Sequence, residues 1–356
     1  GGNDYTLINE KGEVIIMPGD KPNGYPNPDI KWEESEQTDL GFDAHMLNGA
    51  LTFTFDWYKK RTKGMLMDMP LPEYIGDTRP LGYRLRVSDV NIRFNANATY
   101  LKNKVVKLGN ETGWQNYDSV HSIGTITRAA NDEPVPYFYG KRTNGIFQNQ
   151  NEINDYVDSN GDLIQSKAKP GDVRFVDING DGKIDDEDRT KLGKGTPDWT
   201  FGFNIGADWK GFDLNIQLNG SLGSDIYDAS RRPDMKYPNL PEYMLGRWIG
   251  EGTSNKIPRL TSNDENGNWQ SSDLYVKNGN YLRVRNVQLG YTLPLSLTRK
   301  AFVEKLRVYV NAENLLTFTS YDGFDPEISS GGTSLGIDKG VYPQARTISL
   351  GASITF

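Results

Sequence analysis

Long segments that alternate strictly between apolar and polar residues constrain the fold of this chain more than any other feature. Residues 90–100, VNIRFNANATY, place an apolar or aromatic residue at every second position, with an amide, arginine or threonine between them. Successive side chains of a β-strand point to opposite faces, so this segment predicts a strand with one apolar and one polar face. Residues 199–209 and 212–222 repeat the pattern on either side of Lys210-Gly211, which predicts a β-hairpin. The chain is therefore predicted to be all-β.

The polar faces and the segment lengths distinguish between two all-β architectures. In a soluble β-sandwich the polar face meets bulk water and is usually rich in Lys and Glu, whereas here it holds Asn, Thr, Gln, Gly, Arg and Asp. The alternating segments also match the roughly 9 to 11 residues that cross a bilayer at a tilt and exceed the usual strand of about five or six. The pattern favours a transmembrane antiparallel β-barrel and leaves a soluble sandwich or solenoid as the alternative.

Composition excludes several other classes. The sequence contains no run of about 18 apolar residues, the length needed for a membrane helix. The net charge of −7 argues against nucleic acid as a partner. With two histidines and no cysteine, no nucleophile and base form a convincing pair, so we predict that the protein is not an enzyme. The chain opens with Gly1-Gly2-Asn3 and shows no signal peptide, which indicates a processed or partial chain.

Short and long connections alternate along the chain, as they do between the periplasmic turns and extracellular loops of outer-membrane barrels. The short ones are 48–49, 88–89, 131–134 and 210–211, with a modest connector at 294–303. The long ones are 62–80, 102–121, 148–197, 223–278 and 319–341. The alternation requires a strand through 124–129, followed by another through 135–147. The count is then about eleven strands, and an odd number predicts part of a barrel.

Several motifs, taken in order, resemble one family: the SusC/RagA-type TonB-dependent outer-membrane transporters of Bacteroidetes. The motifs are NPDIKWEESEQTDLGFD (27–43), VPYFYGKRTNGIFQN (135–149), GDVRFVDINGDGKIDDEDR (171–189), YLRVRNVQLGYTLP (281–294), VYVNAENLLTFTSYDGFDPE (308–327) and YPQARTISLGASITF (342–356). The resemblance implies a barrel of about 22 strands, of which residues 1–356 supply the C-terminal part. The plug domain, the TonB box and the N-terminal half of the barrel are expected outside this chain. A further strand segment is also expected between Pro80 and Leu81.

The resemblance assigns the two faces of each strand. The apolar face is expected to meet lipid and lipopolysaccharide, and the polar face the barrel lumen. The residues predicted to line the substrate path are Arg93, Asn95, Asn97, Asn215, Gln217, Asn219, Arg307, Tyr309 and Asn311. Taken singly, each is more often in contact with the plug or with water than with substrate.

The stretch DINGDGKIDDED is the sharpest local motif. Asp177, Asn179 and Asp181 occupy positions 1, 3 and 5 of a calcium loop, Lys183 would offer a carbonyl at position 7, and Asp188 stands at position 12. The residues predict a structural calcium ion, with a metal-free loop of Asx turns as the alternative. A second acidic stretch, DSNGD at 158–162, predicts a hairpin turn.

The long connection 223–278 is rich in aromatic residues. Tyr243, Trp248 and Trp269 could stack on sugars or bind a partner protein, and we favour the partner.

The function implied by the resemblance is active uptake of a large nutrient, an oligosaccharide or a peptide, across the outer membrane. A SusD-like surface lipoprotein would cap the barrel as a lid, and the TonB complex would act through the missing N-terminal part. The alternative from another class is a calcium-stabilised soluble or surface β-protein that binds glycans without transport. The lumen residues do not distinguish a glycan importer from a peptide importer.

Overall fold

The structure is a computed structural model that describes residues 5–8, 14–17, 34–63, 81–235, 238–328 and 330–356. Within these ranges the strands are β1 (Tyr5–Ile8), β2 (Val14–Met17), β3 (Glu34–Met46), β4 (Leu51–Lys63), β5 (Leu81–Val87), β6 (Val90–Tyr100), β7 (Trp114–Ser119), β8 (Thr125–Ala130), β9 (Tyr137–Lys141), β10 (Thr143–Ile146), β11 (Val173–Phe175), β12 (Arg189–Gly193), β13 (Trp199–Trp209), β14 (Phe212–Leu222), β15 (Asp225–Asp228), β16 (Val276–Asn278), β17 (Tyr281–Thr292), β18 (Lys305–Thr319), β19 (Ile337–Asp338) and β20 (Thr347–Thr355).

Helical structure in the described ranges is confined to short segments. The α-helices are α1 (Gln150–Asn154) and α2 (Leu295–Thr298), and 3₁₀ turns occupy Leu47–Gly49, Asp186–Asp188, Glu242–Gly246, Asp273–Tyr275, Arg299–Ala301 and Gly332–Ser334. None of the helices in the described ranges has the length and the apolar composition needed to cross a membrane.

The chain divides into two compact units. One comprises residues 1–40 and 57–67, and in its described part β1 pairs antiparallel with β2. The other comprises residues 41–56 and 68–356, and it holds the features discussed below. The strand segment expected between Pro80 and Leu81, and residues 27–33 of the first family motif, involve positions outside the described residues.

A large antiparallel sheet forms from nine of the described strands, in the order β3-β4-β5-β6-β13-β14-β17-β18-β20. The predicted hairpin is confirmed: Trp209 lies opposite Phe212 across the Lys210-Gly211 turn, and the pairing continues to Trp199 opposite Leu222. Both turn residues have positive φ, 45° and 89°, which is typical of a tight two-residue hairpin.

The segments 124–129 and 135–147 do not join the large sheet, contrary to the prediction. Strands β8 and β9 lie instead in a four-stranded sheet of order β12-β9-β8-β7. They are only 6 and 5 residues long, and the side chains of Ile126 and Phe138 are fully buried rather than turned to one outer face. The turn 131–134 therefore belongs to this small sheet, and the described part of the large sheet has nine strands instead of eleven.

The three long connections between strands of the large sheet pack together, and we call them the loop body: residues 101–198, 223–280 and 320–346. Its main core contains Phe138 from the first connection, Tyr227 and Tyr275 from the second and Ile337 from the third. Strands β16, β15 and β19 form a three-stranded sheet that joins the second and third connections. Because burial of apolar surface drives packing, this shared core holds the three connections in one body.

The apolar face of the large sheet, in contrast, is widely exposed. Leu289 is 46% exposed and Leu350 85%. Aromatic pairs mark both ends of the β13–β14 hairpin, with ring centroids 4.9 Å apart for Tyr100 and Trp199 and 6.3 Å apart for Trp209 and Phe212. A broad apolar face between two aromatic borders is what a lipid-facing barrel wall presents.

Candidate functional site: the polar face and the loop body

The residues predicted to line the substrate path share one face of the large sheet. Directly opposite residues in an antiparallel pair point to the same side, and the register sets Asn95 opposite Asn204, Asn204 opposite Gln217, and Gln217 opposite Asn286. This gives one row of amides across four strands. A parallel row runs through Arg93, Gly206, Asn215, Gln288 and Asn311. A third runs through Asn97, Gly202, Asn219, Arg283 and Thr317.

Ion pairs occupy the end of this polar face that lies beside the Lys210-Gly211 turn. Arg93 Nη1 lies 2.6 Å from Asp208 Oδ2. Arg307 binds Asp213 with two hydrogen bonds, of 2.9 Å from Nε and 2.5 Å from Nη2. Both predicted arginines are therefore engaged with carboxylates of other strands, Arg93 on the adjacent β13 and Arg307 across β17 on β14, which favours a structural contribution from each.

Glycines give these side chains room to cross the sheet. A Cβ at Gly290 would lie 2.5 Å from Arg307 Nη2, and one at Gly351 would lie 2.3 Å from Cζ of Tyr309. Arg307 and Tyr309 thus lie flat against backbone positions where any larger residue would displace them.

The amides in the middle of the face have fewer partners. Asn286 donates to Asn311 Oδ1 at 2.8 Å, and Asn311 donates to Glu313 at 3.3 Å. Asn219 Oδ1 is buried and has no hydrogen-bond partner within the described residues. Amides offer both donors and acceptors, so this zone suits brief hydrogen bonds to a polar solute.

A buried ion-pair network ties the loop body to the polar face, and the sequence did not single it out. Arg283 is 2% exposed and donates to Asp325 at 2.5 Å and to Glu327 at 2.9 Å. Asp325 also accepts the backbone N–H of Gln344 at 2.9 Å. The acids lie in the family motif 308–327, but nothing in the sequence shows that they meet a strand some forty residues earlier.

The aromatic residues predicted in the second connection separate into two places. Tyr243 and Trp269 line one cavity of about 420 Å³ in the loop body. Trp248 packs instead on Gly171, where a Cβ would lie 2.3 Å from the ring, and its Nε1 lies 3.3 Å from Gln148 Oε1. The geometry therefore brings two of the three residues together and places Trp248 in an internal contact between two connections.

Burial affects the tyrosines of this region. It raises the pKa of Tyr243 and of Tyr275 above the ordinary value for tyrosine. Both hydroxyls stay protonated at neutral pH, and Tyr275 donates its proton to the Asn268 carbonyl at 2.8 Å.

The calcium-like loop is a chain of tight turns held by its own acidic side chains. Asp177 accepts the backbone N–H groups of Gly180 at 2.7 Å and Gly182 at 2.9 Å. Asp188 is fully buried and accepts those of Ile178 and Asp185, both at 2.8 Å. The further turn bonds run from Asp181 N to Asn179 Oδ1 and from Lys183 N to Asp181 Oδ1, both at 3.0 Å.

These contacts leave the calcium prediction open. In the described part of the chain, no group of three or more His, Cys, Asp or Glu side chains is arranged to hold a metal ion. The second acidic stretch does form the expected turn, since Val157 and Leu163 pair across it. Its Asp158 Oδ2 lies 2.9 Å from the Cβ position at Gly182, so the two acidic turns are in contact.

Comparisons with known proteins agree on one family. A family model described as TonB dependent receptor-like, beta-barrel matches residues 3–315. The TonB-dependent receptor P3 of Formosa agariphila is 31% identical over 99% of this chain and 38% of its own length. The TonB-dependent receptor SusC of Bacteroides thetaiotaomicron is 27% identical over 93% of this chain and 32% of its own length.

A solved structure with the same fold is that of the RagAB peptide transporter. It superposes with a TM-score of 0.70 at 23% sequence identity, and the match covers 100% of this chain and 38% of that chain. The RagAB peptide importer in its "open-open" state gives a TM-score of 0.68. The chain thus spans about a third of the length of the relatives that it matches, from 32% to 38%.

Proposed function

The chain belongs to the TonB-dependent receptor β-barrel family, and from that premise we propose that the intact protein imports a large nutrient across the outer membrane. Members of this family are outer-membrane barrels. The cargo would be an oligosaccharide or a peptide, and its uptake would be driven through the part of the protein that lies beyond this chain. In this function the residues of the chain bind and pass the cargo and carry out no catalytic step.

One observation carries the proposal: amide rows that cross neighbouring strands on a single face, opposite a broad apolar face. Carboxamides exchange hydrogen bonds with a hydrated solute without adding net charge. A translocation path requires binding that is strong enough for entry and weak enough for release. The middle rows meet that requirement better than the ion-paired end beside the Lys210-Gly211 turn.

The proposed function also requires the remainder of the barrel, a lipoprotein and the TonB complex. Exposed edges of a sheet are not tolerated in lipid, so the remainder of the barrel would close the sheet. The loop body would lie on the extracellular side, where a SusD-like lipoprotein would close over it. The TonB complex would pull on the plug and so open the path along the polar face.

The test is to extract the native complex in mild detergent without boiling and to identify every co-purifying chain by mass spectrometry. We expect the plug-bearing remainder of the protein and a surface lipoprotein. In parallel, a deletion strain is compared with its complemented strain for uptake of labelled oligosaccharide and peptide pools, with and without a functional TonB. Uptake that does not depend on TonB would contradict the proposal.

We also infer that the loop 177–188 takes a structural calcium ion. The spacing of Asp177, Asn179, Asp181 and Asp188, at positions 1, 3, 5 and 12 of the loop, supports calcium binding. Gly182 has φ of 83° at the sharp turn that such a loop needs. A carboxylate oxygen that accepts one backbone N–H retains a further lone pair for a metal. The ion would stiffen the loop body, and it would have no part in moving the cargo.

A further inference from the structure

The cavity in the loop body is lined mainly by apolar groups, together with the charged residues Asp228, Lys256, Lys277 and Asp322. Its walls include Tyr243, Met244, Trp269, Tyr275 and Val276, and its volume is about 420 Å³. This volume lies at the lower end of the roughly 300 to 1,000 Å³ of ligand sites, so the cavity has room for one large side chain and not for a polymer.

The charged groups around the cavity are engaged, with one exception. Lys277 Nζ pairs with Asp322 at 2.7 and 2.8 Å and lies 4.8 Å from the Tyr243 ring. Asp228 accepts the hydroxyl of Ser230 at 2.6 Å. Lys256 also lines the cavity, and none of the described residues forms an ion pair or hydrogen bond with its ammonium group.

The ammonium group of Lys256 and the apolar walls determine which occupant fits the cavity. A sugar needs several hydrogen-bond partners where it loses water, because unpaired hydroxyls are costly to bury. An apolar side chain needs none, and a carboxylate beside it would pair with Lys256. The best match is a polypeptide segment in which a large apolar residue adjoins Asp or Glu.

The surroundings favour a folded protein over a dissolved peptide. Leu245 and Ile249 are 78% and 72% exposed. Leu245 directly follows Met244, which lines the cavity. Ile249 directly follows Trp248, whose backbone N–H donates to the carbonyl of Ile257 in the cavity wall. Protein interfaces combine an anchor pocket with an apolar surround that excludes water. A small solute would fill the pocket and leave these two side chains in water.

Arg231 holds the cavity wall in place. It is 1% exposed, and its guanidinium lies 3.2 Å from the centroid of the Tyr275 ring. It donates to the Trp269 carbonyl at 3.3 Å and to the Tyr227 hydroxyl at 2.9 Å. A wall fixed in this way loses little freedom on binding, which favours affinity.

We propose that this cavity is the anchor socket for the surface lipoprotein, which inserts an apolar side chain next to an acidic residue. The inference rests on the proposed function, because it names the place where the proposed lid protein binds. It assigns the rim contact to Lys256 and the apolar contacts to the walls around Tyr243 and Trp269.

The test uses the full-length protein purified with its lipoprotein, separated and then rebound, with the dissociation constant measured by interferometry. Ile257→Trp fills the cavity and should weaken binding at least tenfold. Lys256→Glu should weaken it about fivefold, and less at high salt, as expected for an exposed ion pair. Lys300→Glu and Leu297→Trp are matched controls in the connector that contains α2, and they should stay within twofold of the wild type.

Each alternative result has a definite meaning. Equal binding by all variants contradicts the socket while leaving the partnership intact, whereas a wild type that binds no lipoprotein contradicts the partnership and the socket together. A photo-crosslinking residue at position 257 should attach to a lipoprotein peptide with an apolar residue beside Asp or Glu. A crosslink to cargo or to this protein itself would overturn the inference. Lys256→Glu keeps the test decisive if Ile257→Trp does not fold.

Discussion

Two arginines of β17 share one acceptor but differ in burial. Arg283 and Arg285 contact Glu327 Oε2 at 2.9 and 3.1 Å, and their side chains are 2% and 42% exposed. Arg283 alone also neutralises the buried carboxylate of Asp325. The two arginines therefore compare a buried side chain that pairs with both acids and a more exposed one that pairs with Glu327 alone.

Arg283→Ala should lower the free energy of unfolding by about 3 to 5 kcal/mol, because it leaves a buried charge without a partner. Arg285→Ala should cost less than about 1 kcal/mol. Urea unfolding of the full-length protein in lipid vesicles measures both changes. Equal losses in the two variants would show that burial of Arg283 does not set its contribution.

Lys141 of β9 is a buried amine in the loop body, 6% exposed, over the ring of Phe175. Burial lowers the pKa of its ammonium group, although Asp186, Asp188 and Asp185 oppose this and Arg189 adds to it. A lowered pKa means that this group adds stability above its unfolded-state pKa, and that the contribution is lost as pH falls through the folded-state pKa.

Lys141→Met should therefore raise the melting temperature of the loop body at pH 7. The gain should shrink as pH rises from the lowered folded-state pKa towards about 10.4, the ordinary pKa of lysine, and it should be gone above that pH, because the wild-type amine is then neutral in both states. Thermal scans across pH measure the difference, with exposed Lys183→Met as the control. A gain that does not change with pH would show that packing, not charge, causes it.

At the scale of elements, the two strands on either side of β17 are coupled by side chains that cross one of its glycines. The Arg307–Asp213 pair passes over Gly290 of β17, where a Cβ would lie 2.5 Å from both Arg307 Nη2 and Asp213 Oδ1. The obstructing atoms are the ends of flexible side chains, so an added methyl group would disrupt the ion pair and leave the backbone in place.

Gly290→Ala should thus lower the free energy of unfolding by about 1 kcal/mol more in the wild type than in an Arg307→Ala background. A coupling of this size is within the range for contacting residues. Unfolding of the two single variants and the double variant in vesicles gives this value. Gly109→Ala, in open space, is the uncoupled control. Additive effects at Gly290 would mean that the pair does not span β17.

The calcium-like loop 177–188 is a second element with a direct test. Calcium at about 100 times its dissociation constant should stabilise the wild type by about 2.7 kcal/mol. Asp177→Asn should lose this effect, whereas Asp186→Asn, which changes an acid at position 10 of the loop, should keep it. Calorimetric titration and thermal scans measure both, and a wild type that calcium does not stabilise would contradict the assignment.

The sequence predicted correctly those elements whose structure depends on residues close together in the chain. Alternation in 199–222 depends only on neighbours along the chain, so the hairpin and its turn were predicted correctly. Strands β8 and β9 were assigned to the wrong sheet because short strands carry the same period whether they meet lipid or a core. Burial of Phe138 against Tyr227 decides between these, and it depends on a contact between distant segments.

At the scale of the whole molecule, the polar face was predictable and the loop body was not. The two-residue period of each strand predicts that its polar side chains share one side. The register between strands then places all of the predicted path residues on one face of the sheet. The socket is lined by both Asp228 and Asp322, and the buried ion-pair network pairs Arg283 with Asp325. These residues are far apart in the sequence, so no local pattern predicts that they meet. The family match and the fold favour a barrel wall over the soluble sandwich.

The most direct test of this account places a spin label at Phe94 or at Asn95, neighbours on opposite faces of β6, in the full-length protein in lipid vesicles. This chain contains no cysteine, so it contributes no other labelling site. We predict that a label at position 94 collides with oxygen dissolved in the lipid, and one at position 95 with a water-soluble nickel complex in the lumen. A label at position 94 that is shielded from both, as inside a sandwich core, would contradict the account.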